Sequence, residues 1–121
     1  ELARLLADEL GIDIWRNLEQ VRAGGADLLA VGPWSIEVKR QERLALASWW
    51  RQACREAGEY LPALAYRQSR RPWAFRVPLE PVIDPLADQD WSTRPFCELD
   101  LSGFCFLSRE MIGAINDSRD G

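Results

Sequence analysis

The chain has 121 residues, 47% hydrophobic and 28% charged with a net charge of −4, which suits one compact domain that can bury a core without disulfides or a structural metal. It contains no histidine, which excludes Ser-His-Asp and Cys-His catalysis and His-ligated zinc. No apolar run of about 18 residues predicts a membrane span, and the three cysteines, Cys54, Cys97 and Cys105, lack zinc-like spacing and read as thiols in a reducing cytoplasm.

ELARLLADEL opens with apolar residues at 2, 5, 6 and 10, a helical stripe that Gly11 ends. IDIWR (12–16) alternates and predicts a strand. The polar stretch 16–26 closes on Gly24-Gly25 and predicts a loop or a short turn of helix. DLLAV (27–31) is a continuous apolar run, as in a buried strand, and Gly32-Pro33 marks a turn. WSIEVKR (34–40) alternates strictly, with Trp34, Ile36 and Val38 on one face and Ser35, Glu37 and Lys39 on the other. The strongest helix is predicted over 42–57, with Leu46, Trp50, Ala53, Cys54 and Ala57 in one stripe and Gly58 as its stop. PALAYRQ (62–68) and WAFRVPL (73–79) predict two strands joined by the basic turn Ser69-Arg70-Arg71-Pro72. Residues 80–95 read as an irregular acidic connection, and 101–115 as a helix capped by Asp100. The expected architecture is α/β or α+β, with a mixed sheet of four to five strands flanked by helices in one domain over 1–121.

Charge is unevenly distributed. Residues 1–35 carry three basic and six acidic side chains, 36–76 carry nine and four, and 77–121 carry three and nine. A basic middle flanked by acid suits phosphate binding that the net charge conceals, or an ordinary uneven surface.

Alternation sets Glu37 and Lys39 on one face, about 7 Å apart along the strand. Asp27 reaches that face only if the hairpin loop is odd in length or the strand carries a bulge. A plain two-residue Gly32-Pro33 turn would set Asp27 across from Val38 instead. Two carboxylates converging with a lysine suit a hard divalent cation with oxygen ligands. Such a cation polarises a phosphoryl oxygen, and a lysine can orient water or balance transition-state charge, which together suit phosphodiester hydrolysis. An E-x-K tripeptide by itself is also what a solvated strand with a surface ion pair looks like.

In context the stretch resembles the PD-(D/E)XK nuclease superfamily, with Ala26-Asp27 in place of Pro-Asp and Glu37-Val38-Lys39 as E-x-K. With the N-terminal helix, the strand ending at Arg16 and GGADLLAVGPWSIEVKR, residues 1–79 look like the archaeal-type Holliday-junction resolvases and their bacterial and bacteriophage relatives, including VRR-type nucleases. The resemblance implies a restriction-endonuclease-like core. It implies that Asp27, Glu37 and the Val38 carbonyl ligate Mg²⁺ or Mn²⁺ and that Lys39 positions the attacking water. It also implies a glutamate from the first helix, for which Glu1 or a residue upstream is the candidate, and a glutamine from the following helix, for which Gln52 is the candidate. Residues 80–121 carry no such resemblance.

Around this set, Arg16, Arg22, Arg40, Arg55, Arg70 and Arg71 are candidate contacts to DNA phosphates, or solvated surface arginines. Trp34 and Trp50 read as core rather than as base-stacking platforms. The expected protein is a metal-dependent, structure-selective DNA endonuclease of recombination, replication or repair, acting as a homodimer in a bacterial or phage-infected cytoplasm. Two alternatives are a non-catalytic DNA-binding or assembly module on the same fold and a restriction-type endonuclease.

Overall fold

Periodicity shapes the N-terminal half. The computed structural model describes residues 2–11, 15–16, 28–82 and 90–120, with the backbone alone at 15, 16, 29, 30 and 115–120. Helix α1 (Leu2–Leu10) buries Leu2 and Leu6 and stops at Gly11, whose amide bonds the Ala7 carbonyl at 2.7 Å with φ +67°. Strands β1 (Trp15–Arg16), β2 (Leu28–Val31) and β3 (Trp34–Arg40) follow. Gly32 joins the last two at φ +57°, and Pro33 holds φ near −65°, the signature of a type II′ hairpin turn. A Cβ on Gly32 would also lie 2.8 Å from the Ile112 side chain, so this position admits glycine alone without a shift.

Helix α2 (Leu46–Glu56) crosses over to β4 (Leu61–Arg67), which runs parallel to β3. A parallel pair requires such a crossover. Strand β5 (Ala74–Pro78) returns antiparallel, a 3₁₀ turn covers Trp91–Thr93, β6 (Phe96–Asp100) adds an antiparallel edge, and α3 (Leu101–Asp120) closes the chain. The six strands lie in the order β1-β2-β3-β4-β5-β6. The fold is α+β, a mixed sheet flanked by helices, as expected. No helix among the described residues is long and apolar enough to cross a membrane.

Each sheet face has its own cover. Trp34 and Ile36 of β3, Ala63 and Ala65 of β4, and Phe75 and Val77 of β5 pack with Leu2 and Leu6 of α1 and Phe104 and Cys105 of α3. Phe75 stacks on Phe104 with centroids 4.3 Å apart, and the Trp34 indole N–H donates to the Ser108 hydroxyl at 3.0 Å. Fully burying one such aromatic contributes roughly 1.5–3 kcal/mol. On the other face, Trp49, Trp50 and Ala53 of α2 cover Leu64.

Three expectations change. The helix expected over 42–57 starts at Leu46, because Glu42 is drawn away: its carboxylate accepts the Ser69 amide at 2.9 Å and its carbonyl accepts the Gln68 side chain at 2.7 Å. β3 is buried on both faces rather than on one, since α2 lies over Ser35 and Glu37, which are 2% and 6% exposed. β6 is an addition to the strands expected, its residues alternating between exposed and half-buried at the sheet edge. Asp100 caps α3 as expected, its carboxylate accepting the Gly103 amide at 2.7 Å. All six tryptophans except Trp15, whose side chain lies outside the described residues, are buried, so none of those five is a surface platform for bases.

Candidate active site

The polar face of β3 meets α2. Leu28 pairs with Ile36 and Val31 with Trp34, so the register shifts by one residue between them. The two-residue turn alone would set Leu28 across from Glu37. The shift instead gives Leu28 the core-facing parity of Ile36, and both are buried in the same cluster. This is the bulge that a converging hairpin requires. Asp27 itself lies outside the described residues, as do Glu1 and Arg22, and of Arg16 only the backbone is described.

Glu37 and Lys39 lie on one face as alternation predicts, with the Lys39 ammonium 3.7 Å from the Glu37 carboxylate. The lysine side chain keeps 21% of its surface open and the glutamate 7%, so Glu37 sits deep and Lys39 at the mouth. Gln52 is brought to them from α2. Its amide nitrogen donates to Glu37 Oε1 and to Glu56 Oε1, each at 3.2 Å. Flanked by two carboxylates, the amide must present its nitrogen, because the reverse orientation would set its oxygen against two acceptors. Glu56 Oε2 is buried and accepts no hydrogen bond, which costs roughly 1–3 kcal/mol for such a group.

Glu56 is the residue that sequence reasoning missed. Its signal is the spacing: Gln52 and Glu56 are four apart and therefore share a helix face. Val38, between Glu37 and Lys39, turns its side chain to the opposite core and could serve a metal only through its carbonyl. Arg40, Arg55, Arg70 and Arg71 are all exposed. Among the described residues no three Asp, Glu, Cys or His side chains gather as a metal site.

Across the sheet, the next polar group is joined by in-register pairs. Glu37 aligns with Leu64, Leu64 with Arg76, and Arg76 with Glu98. Glu98 accepts from Arg76 at 2.8 Å and from the Tyr66 hydroxyl at 3.0 Å. Burial, and then the Glu98 partnership, pushes the Tyr66 hydroxyl up to about 12, so it is a neutral donor at physiological pH. The thiols offer no nucleophile: burial, followed by the charge of Asp90, pushes Cys54 up to about 12, and burial likewise raises Cys97 and Cys105.

The chain matches no family profile, no curated protein and no solved structure.

Proposed function

We propose that the protein is a metal-dependent endonuclease that hydrolyses DNA phosphodiester bonds, selective for branched structure, acting as a homodimer in the manner of the resolvase-like nucleases its hairpin resembles. The observation that supports this reading is the convergence of Glu37, Lys39 and Gln52 from β3 and α2, beside a hairpin whose register shift has the parity the reading demands.

The donors fit a hard cation. They are carboxylate and amide oxygens with no sulfur or imidazole among them, and one carboxylate oxygen, Glu56 Oε2, is buried without a hydrogen-bond donor. Glu37, the Val38 carbonyl and Asp27 would hold Mg²⁺ or Mn²⁺. When bound, such an ion supplies Lewis-acid polarisation of the phosphoryl oxygen. Gln52 holds the Glu37 carboxylate in one orientation. Lys39, at the mouth, orients the attacking water or balances charge on the phosphoryl oxygens in the transition state. The surrounding arginines hold the flanking backbone.

The alternative reading is a DNA-binding module of the same fold without catalysis. One experiment separates the two. A synthetic four-way junction, a matched linear duplex and a single strand are incubated with Mg²⁺ or Mn²⁺ and either the wild-type protein or Lys39→Ala. Paired nicks at the junction, reduced at least a hundredfold in the variant, are expected from loss of one preorganised charge, typically about 10²–10³ in rate. No metal-dependent cutting of any substrate by folded protein would leave the binding module.

A further inference from the structure

The C-terminal end of the parallel pair carries a second polar feature. Beside Lys39 in register stands Tyr66, and beside Tyr66 stands Ala74. Next to that row opens a cavity of about 250 Å³ lined by Tyr66, Arg67, Gln68, Arg71, Pro72 and Ala74. Two arginines, a glutamine and a tyrosine are among its lining residues. The Tyr66 hydroxyl already donates to Glu98 and the Gln68 amide to the Glu42 carbonyl, so the cationic groups are those of Arg67 and Arg71. Arg40 aligns with Arg67 on the same edge, so the strand ends and the turn together gather Lys39, Arg40, Arg67, Arg70 and Arg71.

The cavity is held in shape. The Arg71 amide bonds the Gln68 carbonyl at 3.1 Å, closing a turn in which Arg70 sits at φ +62°. A positive φ at that position is the type II arrangement, which favours glycine. An arginine there costs of order 1 kcal/mol or more, and the surroundings must hold it. Glu42 does so: its carboxylate takes the Ser69 amide and its carbonyl takes the Gln68 side chain. The Gln41 amide ties the same segment to the Arg67 carbonyl at 3.1 Å. Arg67 is steadied over the Trp73 ring, 5.9 Å from its centroid. A cavity with two arginines on walls that are fixed before any ligand arrives suits a phosphate oxyanion, which guanidinium N–H groups bind with charge-assisted hydrogen bonds.

We infer that this cavity is a phosphodiester seat for nucleic-acid backbone, distinct from the Glu37–Lys39 position and one to two strand spacings from it across the sheet. Strands lie about 4.8 Å apart, so the seat and Lys39 are close enough to hold phosphates of one strand. The seat sets the direction in which a strand crosses the sheet end. This inference rests on the nucleic-acid reading above but not on cleavage.

The test is fluorescence anisotropy of a labelled duplex and a labelled single strand in EDTA, over a salt series, with wild-type protein, Arg71→Ala, and Arg4→Ala as a control on α1 across the sheet. Inorganic phosphate serves as competitor. Removing one phosphate contact lowers the slope of log affinity against log salt by about one. At 0.1 M salt that contact is worth roughly eightfold in affinity. Arg71→Ala is expected to show both changes and Arg4→Ala neither, with inorganic phosphate competing only weakly. Equal affinity and slope in Arg71→Ala and wild type would overturn the seat, even if junction cutting is found. Displacement of the oligonucleotide by low inorganic phosphate, or no binding of either oligonucleotide by wild type, would also overturn it. The seat stands, without a nuclease, if Arg71→Ala weakens binding and no substrate is cut.

Discussion

Glu37 is 6% exposed, and a carboxylate taken out of water costs several kcal/mol unless partners offset it. Here its partners include the Gln52 amide at 3.2 Å and the Lys39 ammonium at 3.7 Å. The same amide also serves Glu56, so one side chain keeps two carboxylates apart. Replacing Gln52 with leucine leaves both without that donor. Gln52→Leu is expected to lower unfolding free energy by roughly 1–3 kcal/mol, measured by urea denaturation with an unchanged slope. In the cleavage assay the same variant is expected to need more Mg²⁺ for half-maximal rate, because Glu37 loses its fixed orientation. A variant as stable as wild type would show that the amide contributes nothing to this seam.

At the scale of elements, two carboxylates outside the site organise backbone. Asp100 caps α3, and Asp100→Ala is expected to cost about 1 kcal/mol, as other N-cap removals do, read as a lower urea midpoint. Glu42 holds the Ser69–Arg71 turn, and the Ser69 hydrogen bonds keep its carboxyl below the ordinary value of 4.5. A lowered folded value means the stabilisation is present above the ordinary value and is lost as pH falls through the lowered one. Acidification should therefore release the turn while the core persists. The Ser69 amide resonance is expected to follow the Glu42 titration, and Glu42→Gln to abolish that dependence. A Ser69 shift that ignores pH in wild type would exclude the clamp.

Among the described residues helices cover both faces of the sheet, so a reagent reaches a thiol packed between them only through opening, whereas Lys39 keeps an open mouth beside Glu37. Cys54, packed against the cores on both sides and pushed up to about 12, is a neutral thiol at physiological pH. Alkylation of Cys54 by iodoacetamide is expected to be slow in the native protein and to track loss of tryptophan burial across a urea series, followed by mass spectrometry. Fast labelling without denaturant would mean that α2 separates from the sheet locally. The charge distribution acts at the same scale. The basic middle of the chain becomes one sheet end, where Lys39, Arg40, Arg67, Arg70 and Arg71 lie together on the ends of β3 and β4 and the turn between β4 and β5. The chain nevertheless carries a net charge of −4.

Local periodicity was enough for α1, for the strict alternation of β3, for the Gly32-Pro33 turn and for the Asp100 cap, because each depends on neighbours within a few residues. Strand alternation set Glu37 and Lys39 on one face, whereas Gln52 was a candidate only through the family resemblance, and the packing of α2 across β3 brings it to Glu37. Other features needed partners distant in the chain. Phe96–Asp100 becomes a strand only because β5 offers an open edge, and Ser35 and Glu37 are buried only because α2 folds across them. The start of α2 depends on Ser69 and Gln68, which take Glu42 from the helix. The one-residue register shift between Val31 and Leu28 is set by which side chains the shared core of α1 and α3 can bury. The sequence by itself determined which residues could form a site; packing across the sheet decided how deeply Glu37 is buried and which carboxylate, Glu56, joins it.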